Sequence, residues 1–210
     1  PDDDQAWYYH GKALFSLNEL QKADFILKHS LQINDQSSEA WYLLALVQYT
    51  RKVHAEALQS IGRALDLSPS NNEILKLKAK IQVALGSYRG ACQTYDMISE
   101  PDASDVEVLT GYTRALYHTG QFRDANTRVT RLLAKDEKNP DLWRMKAEIE
   151  RAQGLFDEAA SALTEACRHA PNNKKLLTLQ GIVLYEAEKY PEAITVIEKV
   201  LGFDPLNGEL

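Results

Sequence analysis

Alanine recurs at Ala23, Ala57, Ala91, Ala125, Ala159 and Ala193, each 34 residues after the last and without one insertion across nearly the whole chain. Periodicity of that length marks a repeat architecture, in which one supersecondary unit is stacked many times and each unit contacts only its neighbours. The same frame sets a large apolar residue sixteen positions before each alanine, at Trp7, Trp41, Leu75, Leu109, Trp143 and Leu177. Four positions after that opening residue come Gly11, Ala45, Ala79, Thr113, Ala147 and Gly181. Four after the alanine come Leu27, Ile61, Tyr95, Val129, Leu163 and Ile197. A spacing of four keeps residues on one helical face. Each unit therefore reads as two amphipathic helices, whose close approach the small residues permit.

Punctuation agrees with this reading. Gly86, Gly120 and Gly154 fall between the two halves of their units, with Asn18 equivalent in the first, where one helix stops and the chain reverses. Pro69, Pro171 and Pro205 share a register just past the second helix, in the turns "LSPSN", "HAPNN" and "FDPLN". There a missing N–H does no harm.

These registers resemble the tetratricopeptide repeat, and the second unit matches it best through Trp41, Leu44, Ala45, Ala57, Ile61, Ala64 and Pro69. The resemblance implies an all-α fold, a right-handed superhelical α-solenoid of helix-turn-helix units. It predicts a single array over residues 4–207, in units 4–37, 38–71, 72–105, 106–139, 140–173 and 174–207. Departures are His10, Lys78, Lys146 and Gln180 in place of a first-helix leucine, and Thr113 in place of a small residue. A lysine stem at such a place is expected to run past the core and hold its charge in water. Repeat arrays also need polar ends. Here the last helix carries Val196, Ile197, Val200 and Leu201, so the expectation is a fragment of a longer array, or a homo-oligomer formed through the uncapped C-terminal repeat.

Chemistry beyond binding finds little support. No GxSxG, P-loop, GxGxxG or HExxH motif is present, and His10, His29, His54, His118 and His169 lie in different units or helices. "GSYRG" at 86–90 sits between paired helices and reads as a hairpin turn. Cys92 and Cys167 lack the spacing of a metal or redox pair and read as buried thiols. The expectation is a non-enzyme without cofactor or metal. A net charge of −6 argues against nucleic acid as a general partner, since phosphate affinity comes from clustered Lys and Arg. No apolar run approaches the roughly 20 residues of a membrane span. Cytoplasmic and periplasmic settings fit this soluble segment equally.

In tetratricopeptide arrays a concave groove is lined by first helices, typically at unit positions 5, 9, 12 and 13. Carried over, the resemblance points to Tyr8, Lys12, Phe15, Tyr42, Tyr49, Lys76, Lys80, Arg114, Tyr117, Arg144 and Arg151 as partner-binding residues. Basic residues number six against two acidic ones, Glu148 and Glu186, over these positions of the six units. Tyr42 and Tyr49 are seven apart, two helical turns, and so share the groove face beside Trp41. Arginine pairs carboxylates bidentately and concave walls focus the field, so the expected ligand is an acidic or carboxylate-bearing protein segment. The carboxylate clamp of chaperone-binding members is absent: Lys76, Lys80, Gly111, Asp141 and Met145 do not supply its Lys, Asn and Arg set. So is the asparagine ladder of glycosyltransferase-linked arrays, whose position holds Tyr9, Leu43, Leu77, Gly111, Met145 and Leu179. The function expected is a protein–protein interaction scaffold. The alternatives are a self-assembling structural module or the recruiting segment of a larger bacterial envelope or export protein, for example in polysaccharide secretion.

Overall fold

A computed structural model of the chain describes residues 3–98 and 105–202. Among the described residues there are twelve α-helices and no strand. They alternate as first and second helices: α1 (Asp4–Ser16), α2 (Leu20–Ile33), α3 (Ser38–Thr50), α4 (His54–Leu67), α5 (Asn72–Ala84), α6 (Tyr88–Asp96), α7 (Val106–His118), α8 (Phe122–Leu133), α9 (Pro140–Ala152), α10 (Phe156–His169), α11 (Lys174–Glu186) and α12 (Tyr190–Gly202). The fold is all-α, of the solenoid class built from helix hairpins. Pro205 and the "FDPLN" turn lie outside the described residues. Contacts divide the chain into two compact units, Pro1–Ala115 and Leu116–Leu210.

Every first helix begins behind a side chain able to cap it. Asp3 Oδ1 accepts from the Ala6 amide at 3.1 Å, Ser37 Oγ from Ala40 at 3.2 Å, and Asn71 Oδ1 from Glu73 at 2.9 Å. Asp105 Oδ1 accepts from Val108 at 3.1 Å, Asn139 Oδ1 from Asp141 at 3.0 Å, and Asn173 Oδ1 from Leu176 at 3.3 Å. Each satisfies an amide that the helix itself leaves unpaired. These caps recur every 34 residues, a polar register that apolar periodicity alone does not reveal.

First helices end just as regularly. Asn18, Lys52, Gly86, Gly120, Gly154 and Glu188 all adopt left-handed backbone, with φ between 59° and 77°. The next amide reaches back to the first helix, as Glu19 N–H to Leu14 O and Val53 N–H to Gln48 O, both within 3.0 Å. This is a Schellman closure. The turn thus extends the sequence-read glycine register to Lys52 and Glu188, two residues that adopt this conformation at a cost.

Packing follows the small-and-large registers. A Cβ on Gly11 would lie 2.7 Å from Leu27 Cγ, while Ala45, Ala79 and Ala147 are at most 1% exposed. Thr113 is buried as completely, its hydroxyl donating to the Leu109 carbonyl at 2.7 Å. Among the other departures, Lys146 lays its ammonium 5.3 Å from the Trp143 ring, and Gln180 donates to Thr164 Oγ1 at 3.1 Å. In the first unit Trp41 packs between two core groups, one with Leu27, Leu44 and Val47 and one with Ala57, Ile61 and Ile81. In the second, Trp143, Leu163, Ala166 and Leu177 are among the residues that build the core.

The sequence reading of the final helix needs one correction. Val200 is buried and Val196 packs into the core, because that side of α12 faces α11 and α10. The apolar residues of α12 that stand exposed among the described residues are Ile194, Ile197 and Leu201.

Candidate functional site: the first-helix faces

In the first unit the aromatic residues are partly packing residues. Tyr8 and Phe15 lie half-buried against the core that holds Leu43 and Val47, and Tyr42 and Tyr49 against that of Leu77 and Ile81. Lys12 is exposed, its ammonium about 6 Å from the rings of both Tyr8 and Tyr9. Burial raises the Tyr42 hydroxyl pKa, and Glu73 adds to the shift while Lys80 and Lys76 oppose it.

The lysines are engaged with carboxylates. Lys76 Nζ lies 3.1 Å from Glu73 and 3.0 Å from Asp105, and Lys80 Nζ lies 2.7 Å from Glu107. Burial alone would raise the Asp105 carboxyl, but the hydrogen bonds from Lys76 and the Val108 amide outweigh it and hold the group below the usual range. Arg114 differs. It is exposed and forms no ion pair among the described residues.

In the second unit Tyr117 is half-buried between His118 and Phe122, with ring centroids 5.1 and 6.0 Å away. Arg144 lies 2.6 Å from Glu148 and 3.5 Å from Asp141. Arg151 grips Glu186 with two hydrogen bonds of 2.5 Å, which raises the guanidinium pKa and lowers that of the carboxyl. A recess of about 280 Å³ opens beside this pair, lined by Tyr117, Glu148, Arg151, Ala152, Phe156 and Glu186.

The structure therefore places acids that a count over four unit positions passes by. Glu73, Glu107 and Asp141 stand at unit position 2, and Asp105 caps α7. They compensate Lys76 and Lys80 and add to the pairing of Arg144, while the counted acids Glu148 and Glu186 pair with Arg144 and Arg151. The Glu107 side chain is 71% exposed, so its pair with Lys80 is solvated and weak. Sequence reasoning also missed a larger recess of about 570 Å³ on the second-helix side, lined by Lys28, Trp41, Gln48, Glu56 and Arg63 among others. Pattern analysis assigns its Trp41 and Leu44 to packing and gives its charged residues no role. Among the described residues no cluster of His, Cys, Asp or Glu is arranged to hold a metal, and no helix is long and apolar enough to cross a membrane.

The profile of the tetratricopeptide repeat matches residues 24–72, 114–174 and 145–208. The chain belongs to the tetratricopeptide repeat family. Its curated relatives are distant. BBSome complex member BBS4 of Bos taurus is 22% identical over 95% of this chain and 38% of its own length. Protein O-mannosyl-transferase TMTC3 of Homo sapiens is 25% identical over 99% of this chain and 23% of its own. The chain thus spans less than half of either protein. Among solved structures, YrrB, described as a TPR protein with an unusual peptide-binding site, superposes with a TM-score of 0.77 at 18% identity, covering 90% of this chain and 93% of that one. A tetratricopeptide repeat protein of Parabacteroides merdae gives 0.78 at 20% identity, covering 96% and 80%. These likenesses show the fold.

Proposed function

We propose that this chain is a non-enzymatic interaction scaffold whose first-helix faces form a concave groove for a partner segment bearing carboxylates. Tetratricopeptide repeats support the general role of protein–protein interaction. The finer reading is carried by one observation: Arg114 of α7 is exposed and forms no ion pair among the described residues, and Lys80 of α5 pairs there with an exposed glutamate of the same α7. A partner carboxylate can replace Glu107 on Lys80 and meet Arg114 without breaking a buried pair. Tyr42 and Tyr49 supply aromatic surface on the same face, with little rotamer entropy to lose on binding. Arg144 and Arg151 contribute less free charge, because Glu148 and Glu186 already compensate them.

The test uses a fluorescent dodecapeptide alternating Glu and Ser, with a Gln-for-Glu counterpart, followed by anisotropy. The native chain is expected to prefer the Glu peptide, and Lys80→Glu with Arg114→Glu to weaken it by at least about tenfold at low salt, with helicity unchanged by circular dichroism. Equal binding of the two peptides by the native chain would remove the carboxylate reading.

A second reading, self-association, is favoured by the open face of α12. The unit position held by Leu27, Ile61, Tyr95, Val129 and Leu163 is at most 2% exposed, whereas Ile197 at the same position is 41% exposed. Elsewhere the following first helix covers it: Ala40, Leu43, Leu44 and Val47 of α3 pack on Leu27 and Leu31. The equivalent residues of α1 are Ala6, Tyr9, His10 and Ala13, all exposed and suited to cover α12 of another copy.

A further inference from the structure

One buried polar atom in the first unit is left without a partner among the described residues by a double departure from the repeat pattern. Tyr95 occupies the position held elsewhere by Leu27, Ile61, Val129, Leu163 and Ile197. Gly111 occupies the position held elsewhere by Tyr9, Leu43, Leu77, Met145 and Leu179. The two departures fit each other, because the Tyr95 hydroxyl stands where a Cβ of residue 111 would be and any side chain there would collide with it. Tyr95 is 2% exposed, and its Oη is buried with no hydrogen-bond partner among the described residues.

Size compensation explains the ring but not the oxygen. A phenylalanine would fill the same volume, and an unpartnered buried hydroxyl destabilises a fold. The ring is also held in place, stacked on Tyr112 with centroids 5.0 Å apart and planes 16° from parallel, while the Tyr112 hydroxyl donates to Asp96. The phenolic oxygen is thus fixed in place, buried against Gly111 of α7.

What surrounds it is the binding face already described. Gly111 follows Thr110, a groove-lining position by family pattern, and Arg114 is one turn further along α7. Burial raises the Tyr95 hydroxyl pKa, Glu107, Tyr49 and Asp105 add to the shift, and Arg114 opposes it. An O–H donor beside an unpaired guanidinium suits an anionic oxygen, since charge-assisted hydrogen bonds are the strong ones.

We infer that the Tyr95 hydroxyl, standing in the place of a residue-111 side chain beside Arg114, is a specificity-determining donor for a partner carboxylate that enters the seam between α5 and α7. The inference rests on the carboxylate reading above, and names the subsite within it. Gly111 makes the room that the hydroxyl occupies, and Arg114 compensates the charge of a carboxylate that parts the two helices to reach it. The hydroxyl supplies direction, so it separates a carboxylate from an amide of the same shape.

The experiment measures binding of the alternating Glu–Ser dodecapeptide and its Gln counterpart to the native chain, Tyr95→Phe, Arg114→Gln and Lys80→Glu. Urea midpoints are recorded in parallel. Tyr95→Phe removes one oxygen and is expected to keep or raise the midpoint. It is also expected to weaken the Glu peptide about five- to tenfold and to lower the Glu-over-Gln preference by the same factor. Arg114→Gln should lower that preference as well. If Lys80→Glu loses the peptide while Tyr95→Phe binds it as the native chain does, the subsite is wrong and the carboxylate groove stands. If the native chain does not distinguish the two peptides, the groove reading fails and the subsite falls with it.

Discussion

Glu150 shows how a single position can depart from its repeat and leave a measurable trace. Where the repeat puts a glutamine at this position, it pairs with a hydroxyl twelve residues on: Ser60 Oγ donates to Gln48 Oε1 and Thr94 Oγ1 to Gln82 Oε1, each at 2.7 Å, while Leu14, Leu116 and Leu184 fill it in the other repeats. At Glu150 the matching residue is Ala162, and the carboxylate, 5% exposed, has its Oε2 unpartnered and Lys146 no nearer than 3.7 Å. Burial raises its pKa above the ordinary 4.5, against the opposing pull of Lys146. The folded chain therefore holds this proton at pH values where the unfolded chain has released it. Stability from this group rises as pH falls through the raised pKa and is fully gained below 4.5. Glu150→Gln is expected to stabilise the chain by about 1–2 kcal/mol at neutral pH, with the advantage shrinking on acidification. Urea titrations at several pH values measure this, and a constant difference would refute it. The sequence displays Glu150 plainly, but its burial depends on which face α9 turns to α10.

At the scale of the element, the hairpin turn is the most legible feature. Glycines and Asn18 mark it in four of the six units, and the left-handed backbone at Lys52 and Glu188 completes the series. Closure by the backbone bonds of the turn holds these two residues in a conformation disfavoured by their Cβ atoms. Lys52→Gly is expected to stabilise the chain by about 0.5–1 kcal/mol, after allowance for the extra freedom of glycine in the unfolded state. A shift of the urea midpoint to lower concentration would show that the Lys52 side chain contributes more than its backbone strain costs. The first-helix caps were equally present in the sequence. Asp, Asn and Ser interchange at that position, and a chemically mixed register stands out less than repeated alanine.

At the scale of the molecule, stacking covers each repeat's second helix with the next first helix, and α12 lacks such a cover among the described residues. If exposed Ile197 and Leu201 meet α1 of another copy, light scattering should show mass increasing with concentration. Ile197→Glu with Leu201→Glu should then weaken association by at least about tenfold, roughly 1.4 kcal/mol. A native chain that stays monomeric at the highest attainable concentration would end that reading. By itself the sequence determined the repeat, its helix pairs and the small-to-large fit, because steric packing at a fixed period leaves its mark at every recurrence. Only the tertiary structure decided which charges are free, since Lys76 meets Asp105 and Arg151 meets Glu186 from different helices. It alone set the Tyr95 hydroxyl against Gly111, because pairing between residues on separate helices depends on how those helices approach, which no spacing along the chain records.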